Sequence, residues 1–198
     1  MSTVMTRRIK QPASVDPARL ATALHEKLGA AYWKLSELRQ SEQPRLTPNL
    51  EPQTIIPHFL TSARGVHSTA NTFASSSWRQ GEFGIWRKQW EATLSLDELA
   101  LWDRMQDERD AAEHGDGADL MPIQIPIPPQ EGLSRDSTLL LAGLPAHRSE
   151  SFKGGVRFKS YPDKLASEVC FAYWELCRRF VDDFLRDNAA RSEPPPTA

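Results

Sequence analysis

The chain has 198 residues, 39% of them hydrophobic and including six Trp and eight Phe, enough to build one core of ordinary size. A formal net charge of -2 lacks the basic excess of a strong nucleic-acid or membrane-surface binder, although a local basic patch is compatible with it. No run approaches the roughly 18 apolar residues that cross a bilayer, and Arg7-Arg8 is followed by no apolar stretch, so neither a secretory nor a twin-arginine signal is expected.

Residues 1–15 are polar and unpatterned and read as a flexible N-terminal tail. A first helix starts at Asp16, a capping residue, with Pro17 in its first turn. Its apolar stripe is Leu20, Ala23, Leu24, Leu28, Ala31, Leu35 and Leu38, and it ends near Ser41. Pro44, Pro48 and Pro52 mark a connector. A second helix spans about 52–75, with Ile56, Phe59, Leu60, Ala63, Val66, Ala70, Phe73 and Ala74 on one face. Pro57 falls in its first turns, where the missing N–H costs little. Ile85, Trp86 and Trp90 indicate a short third helix. Ser95 and Glu98 form a capping box for a fourth helix over 96–114, whose inner face holds Leu99, Trp102, Met105, Arg109 and Ala112, and Gly115 and Gly117 end it.

The pattern then changes. Ile123, Ile125 and Ile127 alternate between Pro122, Pro126, Pro128 and Pro129, which suits an edge strand or an extended segment. Further short strands are expected at 138–141 and 156–160, with Gly154-Gly155 as a turn or bulge. A last helix is predicted from Pro162 or Asp163 to about Ala190, lined by Leu165, Val169, Ala172, Leu176, Phe180 and Phe184. Residues 192–198, with three consecutive prolines, read as a disordered tail. The fold class that follows is mainly α: a four- to five-helix bundle over 16–191, with a small β-rich insertion at 120–162 before the last helix. Cys170 and Cys177 lie two helical turns apart, roughly 10 Å. That is beyond disulfide reach, so both are expected reduced and the chain cytoplasmic. No zinc-ligand spacing and no cofactor motif is present.

The segment Arg109-Asp110-Ala111-Ala112-Glu113-His114 carries the sharpest chemistry. Arginine grips a phosphate with two hydrogen bonds and stabilises charge that grows in a transition state. Histidine titrates near neutrality and serves as general acid or base. Five residues correspond to roughly 140° of extra helical rotation, so the two side chains converge only if His114 swings at the helix end. Such a pair suffices for metal-free cleavage of RNA by attack of the ribose 2′-hydroxyl on the adjacent phosphate. A second pair of similar spacing, Arg19 and His25, lies early in the first helix without a polar neighbour or a helix end.

An arginine, a polar residue, three more residues and a histidine at the end of a late helix in a small bundle resembles the HEPN superfamily. Arg109, Asp110 and His114 match the three positions of its motif. The resemblance implies a homodimer with the two motifs meeting across a dyad. It also implies a metal-independent endoribonuclease of the toxin–antitoxin or defence type, with RNA as substrate and a cognate antitoxin as partner, or a non-catalytic relative with the same fold. On it, Arg109 holds the scissile phosphate, His114 moves the proton and Asp110 orients one of them. The β-rich insert is not part of the minimal bundle.

Other readings stand beside this one. Arg109 can pair with Glu113 at i,i+4 as an ordinary salt bridge, and His114 suits the negative end of a helix dipole. Asp103, Asp107, Glu108, Asp110, Glu113, Asp116 and Asp119 give the neighbourhood a field that repels RNA. Arg64 and His67 on the second helix are candidates to join the same cleft, or form a polar face. Arg178 and Arg179, with Arg186, make a modest basic strip that can track a phosphate backbone or face water. Lys153, Arg157 and Lys159 interleave with Phe152, Val156 and Phe158, as in a single-strand binder or an ordinary amphipathic strand. The alternative functions are an interaction or adaptor bundle that uses the Trp-rich faces, and a small-molecule or nucleotide binder.

Overall fold

The computed structural model describes residues 16–43, 51–113, 118–127 and 151–192. Among them are five helices and one two-stranded antiparallel sheet that precedes the last helix. The helices are α1 (Pro17–Glu42), α2 (Pro52–Ser77), α3 (Glu82–Glu91), α4 (Leu96–Glu113) and α5 (Ala166–Ser192). The strands are β1 (Leu120–Ile127) and β2 (Ser151–Phe158). None of the described helices is long and apolar enough to cross a membrane.

The local signals explain most of the boundaries. The Asp16 carboxylate accepts the Ala18 N–H at 3.0 Å, and Pro17 opens α1. At α4 the capping box is reciprocal: Ser95 N–H donates to Glu98 Oε2 at 2.8 Å, and Glu98 N–H donates to Ser95 Oγ at 3.3 Å. The Ser95 backbone N–H first, then the Ser95 hydroxyl and the Arg179 charge, hold the Glu98 carboxyl below its usual range against desolvation. Gly81 has φ 87°, the left-handed backbone that lets the chain turn into α3.

α1 packs on α2 and α5 through Leu20, Leu24, Leu28, Ala31, Leu35 and Leu38, all buried. α2 lies between α1 and α4 and also meets α3 and α5. The short α3 is tied to α5 by two indole hydrogen bonds, and the segment before it by a third. Trp86 donates to Asp187 at 2.8 Å and Trp90 to Asp183 at 3.0 Å, while Trp78 just before the helix donates to Asn188 at 3.0 Å. Each indole thus buries its rings and still satisfies its N–H. The buried Glu42 at the end of α1 accepts the Ser167 N–H at 3.3 Å near the start of α5, and desolvation raises its pKa. Cys170 and Cys177 are free and buried on α5.

Three expectations need correction. Gly154 and Gly155 are neither turn nor bulge: they lie inside β2, paired with Gln124 and Ile123 in a continuous register from Leu120↔Phe158 to Ile127↔Ser151. Gly155 is there because a Cβ at that position would meet Ile125 Cδ1 at 2.6 Å. The last helix starts at Ala166, a few residues later than the proline signal suggested. A turn intervenes, with Lys164 N–H on the Tyr161 carbonyl, and Glu168 accepts the Leu165 N–H at 2.7 Å to begin the helix. Prolines 122 and 126 are tolerated because each strand of a two-stranded sheet has a free edge. Ser192, expected to open the C-terminal tail, ends α5 instead; the expected strand at 138–141, the glycines at 115 and 117, and residues 1–15 and 193–198 lie outside the described residues.

Candidate functional site

The C-terminal half of α4 positions the central group. Trp102 and Met105 point into the core, and the same stripe continues to Glu108, which is 2% exposed. Arg109 follows, with its side chain 13% exposed. Its Nη1 donates to Asp110 Oδ1 and its Nη2 to Glu113 Oε2, while Nε is buried without a partner. From α2, Arg64 Nη1 reaches the same Asp110 oxygen at 3.3 Å. One carboxylate oxygen therefore bridges two guanidiniums on two helices, and Glu113 closes the cluster. Burial opposes the Arg109 charge, but the hydrogen bonds and charges of Asp110 and Glu113 outweigh it and hold the guanidinium above its ordinary pKa.

Arg64, Arg109 and Asp110 are thus brought together. His114 lies outside the described residues. His67 stands one helical turn beyond Arg64, yet its ring packs on Phe83 and Phe180, with centroids 5.7 and 5.8 Å away. Its Nε2 is 3.5 Å from Arg87 Nη1. Desolvation first, and the Arg87 charge second, lower its pKa to about 4, so near neutral pH it is an uncharged ring facing a cation. Arg178 and Arg179 form a charge-balanced strip. Arg178 pairs with Glu175 at 2.7 Å and Asp182 at 3.9 Å, and Arg179 with Glu98 at 3.2 Å and Asp183 at 3.9 Å. On the β side, Arg157 donates to the Pro162 carbonyl at 2.7 Å and Lys159 pairs with Asp119 at 2.7 Å.

Glu108, read from the sequence only as one of seven acids whose field repels RNA, is buried. It accepts the Asp119 N–H at 2.8 Å and lies 2.9 Å from Arg104. It thereby ties α4 to the entry of β1, across the segment that carries the end of the motif. Its signal was available: it falls three residues after Met105, on the stripe begun by Trp102. With Glu108 and Asp119 engaged by Arg104 and Lys159, the acidic field around Arg109 is smaller than the count of carboxylates implies.

No protein-family model, curated protein or solved structure matches the chain. A shallow crevice of about 350 Å³ between α1 and α2, edged by Arg19, Leu20, Thr69, Thr72 and Phe73, lies apart from the Arg109 cluster. Among the described residues no three His, Cys, Asp or Glu side chains converge to hold a metal ion.

Proposed function

We propose that this chain is a HEPN-like bundle whose α4 terminus binds and cleaves an RNA phosphodiester. The observation that carries the reading is the shared Asp110 oxygen, which holds Arg64 and Arg109 together at the last turn of α4, the helix whose final residue Glu113 precedes His114 in sequence. Two guanidiniums from separate elements suit the two non-bridging oxygens of one phosphate. In the reaction His114 takes the proton of the ribose 2′-hydroxyl, the freed oxygen attacks phosphorus and the P–O5′ bond breaks. The departing 5′ oxygen takes that proton back from the His114 imidazolium, leaving a cyclic phosphate, a 5′-hydroxyl and a neutral histidine. Arg109 and Arg64 stabilise the charge that builds on phosphorus oxygens, and Asp110 orients them. Phosphate binding is assigned here to Arg64 and Arg109, which converge from α2 and α4 on one Asp110 oxygen, rather than to Arg178 and Arg179, whose carboxylate partners are not shared between them.

The test is incubation of the purified protein with mixed single-stranded and structured RNA in excess chelator. Products ending in cyclic phosphate, lost in His114→Ala and reduced at least about 100-fold in Arg109→Ala, are expected. Intact RNA with the wild-type protein would end the nuclease reading.

One observation favours a second reading, an adaptor bundle without catalysis. On α1, Trp33 is 67% exposed and Tyr32 46% exposed. Tyr32 packs on Trp174, which stacks on Phe171 under the Arg39 guanidinium. An aromatic face of this kind suits a protein partner. Recovery of one stoichiometric partner, lost in Trp33→Ala with RNA left uncut, distinguishes this reading from the first.

A further inference from the structure

Both terminal nitrogens of the Arg109 fork are committed to carboxylates, Nη1 to Asp110 and Nη2 to Glu113. A phosphate that is to be gripped by two parallel N–H groups needs that fork, so one carboxylate must leave first. The two are not equivalent. Asp110 also holds Arg64, and removing it would release two cations at once. Glu113 holds Arg109 and, among the described residues, makes no second ion pair. It is the last residue of α4, where exposed carbonyls disfavour a negative charge, and its side chain is 40% exposed, so outward rotation delivers it directly to water.

We infer that Glu113 is an autoinhibitory carboxylate, occupying the Arg109 fork in place of a phosphate and exchanging with it on substrate entry. This rests on the proposed phosphate role of Arg109. With Glu113 in place, Arg64, Arg109, Asp110 and Glu113 sum to zero charge. With Glu113 swung out, the remaining three carry one net positive charge, the sign a phosphodiester requires. The site is thereby guarded against weakly held anions, and an RNA that makes enough contacts elsewhere opens it.

The experiment measures binding rather than turnover. A short single-stranded RNA is titrated into the full-length His114→Ala protein, alone or with Glu113→Gln or Asp107→Asn. Asp107 is exposed on the same helix and removes the same charge without touching Arg109. Glu113→Gln is expected to tighten binding about fivefold, the scale of one half-exposed ion pair, and Asp107→Asn less than about twofold. Adding Arg109→Ala should erase the gain. Equal gains in the two charge variants, or none in Glu113→Gln, would overturn the inference. Far-UV circular dichroism checks that each variant is folded. Inorganic phosphate, followed through the arginine side-chain NMR signals, gives a readout independent of RNA. If wild-type protein never cuts RNA yet Glu113→Gln selectively tightens phosphate at Arg109, the nuclease reading falls and the gate stands. If RNA is cut and Glu113→Gln binds it as Asp107→Asn does, the gate falls and the nuclease reading stands.

Discussion

At position 67 a titratable ring has been placed among phenyl groups and beside a cation, and both choices favour its neutral form. In the unfolded chain the same ring accepts a proton near pH 6.5, whereas in the fold it does so only near pH 4. Acid therefore favours unfolding. The contribution of His67 is full above about pH 6.5 and is lost as the pH falls towards 4. His67→Gln, which keeps a polar group near Arg87, should lose about 3 kcal/mol less stability than wild type between pH 7 and pH 4. Urea melts at pH 7, 5.5 and 4 measure this, and parallel pH profiles for the two proteins would contradict it. The residue also illustrates what one sequence can and cannot say. Helical spacing places His67 one turn from Arg64, but what each side chain meets depends on where α3, α4 and α5 pack, which the local pattern does not encode. The pairing of Arg109 with Glu113 was legible because it is an i,i+4 relation within one helix. Its sharing of Asp110 with Arg64 was not, because the partners lie 46 residues apart.

At the scale of elements, local chemistry was a sound guide wherever the stabilising contact is itself local. The Asp16 cap and the Ser95–Glu98 box are examples, and the apolar stripes of α1 and α2 gave their buried faces. The glycine pair in β2 shows where it fails. Two adjacent glycines signal a turn when read alone, but here both lie in a continuous strand and Gly155 makes room for the Ile123 and Ile125 side chains of its neighbour. The two glycines are not alike. A methyl group on Gly155 would collide with Ile125, while one on Gly154 meets nothing within 4 Å. Gly155→Ala should destabilise the protein by about 1–3 kcal/mol, unless Ile125 turns aside. Gly154→Ala should be neutral or stabilise slightly, since a strand glycine loses more backbone freedom on folding than alanine does. Denaturant midpoints for the two variants decide the matter, and equal midpoints would show that the Ile125 contact has no energetic weight.

For the molecule as a whole, the arrangement of rings around Phe180 sets how it unfolds. That side chain is fully buried and meets His67 of α2, Trp86 and Trp90 of α3, Trp102 of α4 and Phe184 of its own helix. Four helices thus share one aromatic centre, and α2 and α4, which carry Arg64 and Arg109, both meet it. Truncation there removes contacts to every one of these elements, so Phe180→Ala should cost about 3–5 kcal/mol, a large part of the stability of a domain this size. Phe180→Leu retains much of the volume and should cost less than about 2 kcal/mol, which keeps a folded variant available for study. The same geometry predicts the form of the transition. Fluorescence weighted to the buried Trp86, Trp90 and Trp102 reports the aromatic centre once the exposed Trp33 and the peripheral Trp174 are replaced by Phe, whereas far-UV circular dichroism reports all the helices, α1 among them. α1 joins the bundle mainly through leucines, with Tyr32 on Trp174 beside them, and those leucines belong to the same continuous core. Fluorescence and dichroism should therefore give coincident urea transitions in that background, with and without Phe180→Leu. If helical signal persists after the tryptophans are exposed, α1 and α2 form a separate cooperative unit, and the spacing between Arg64 and Arg109 is not fixed by the core around Phe180.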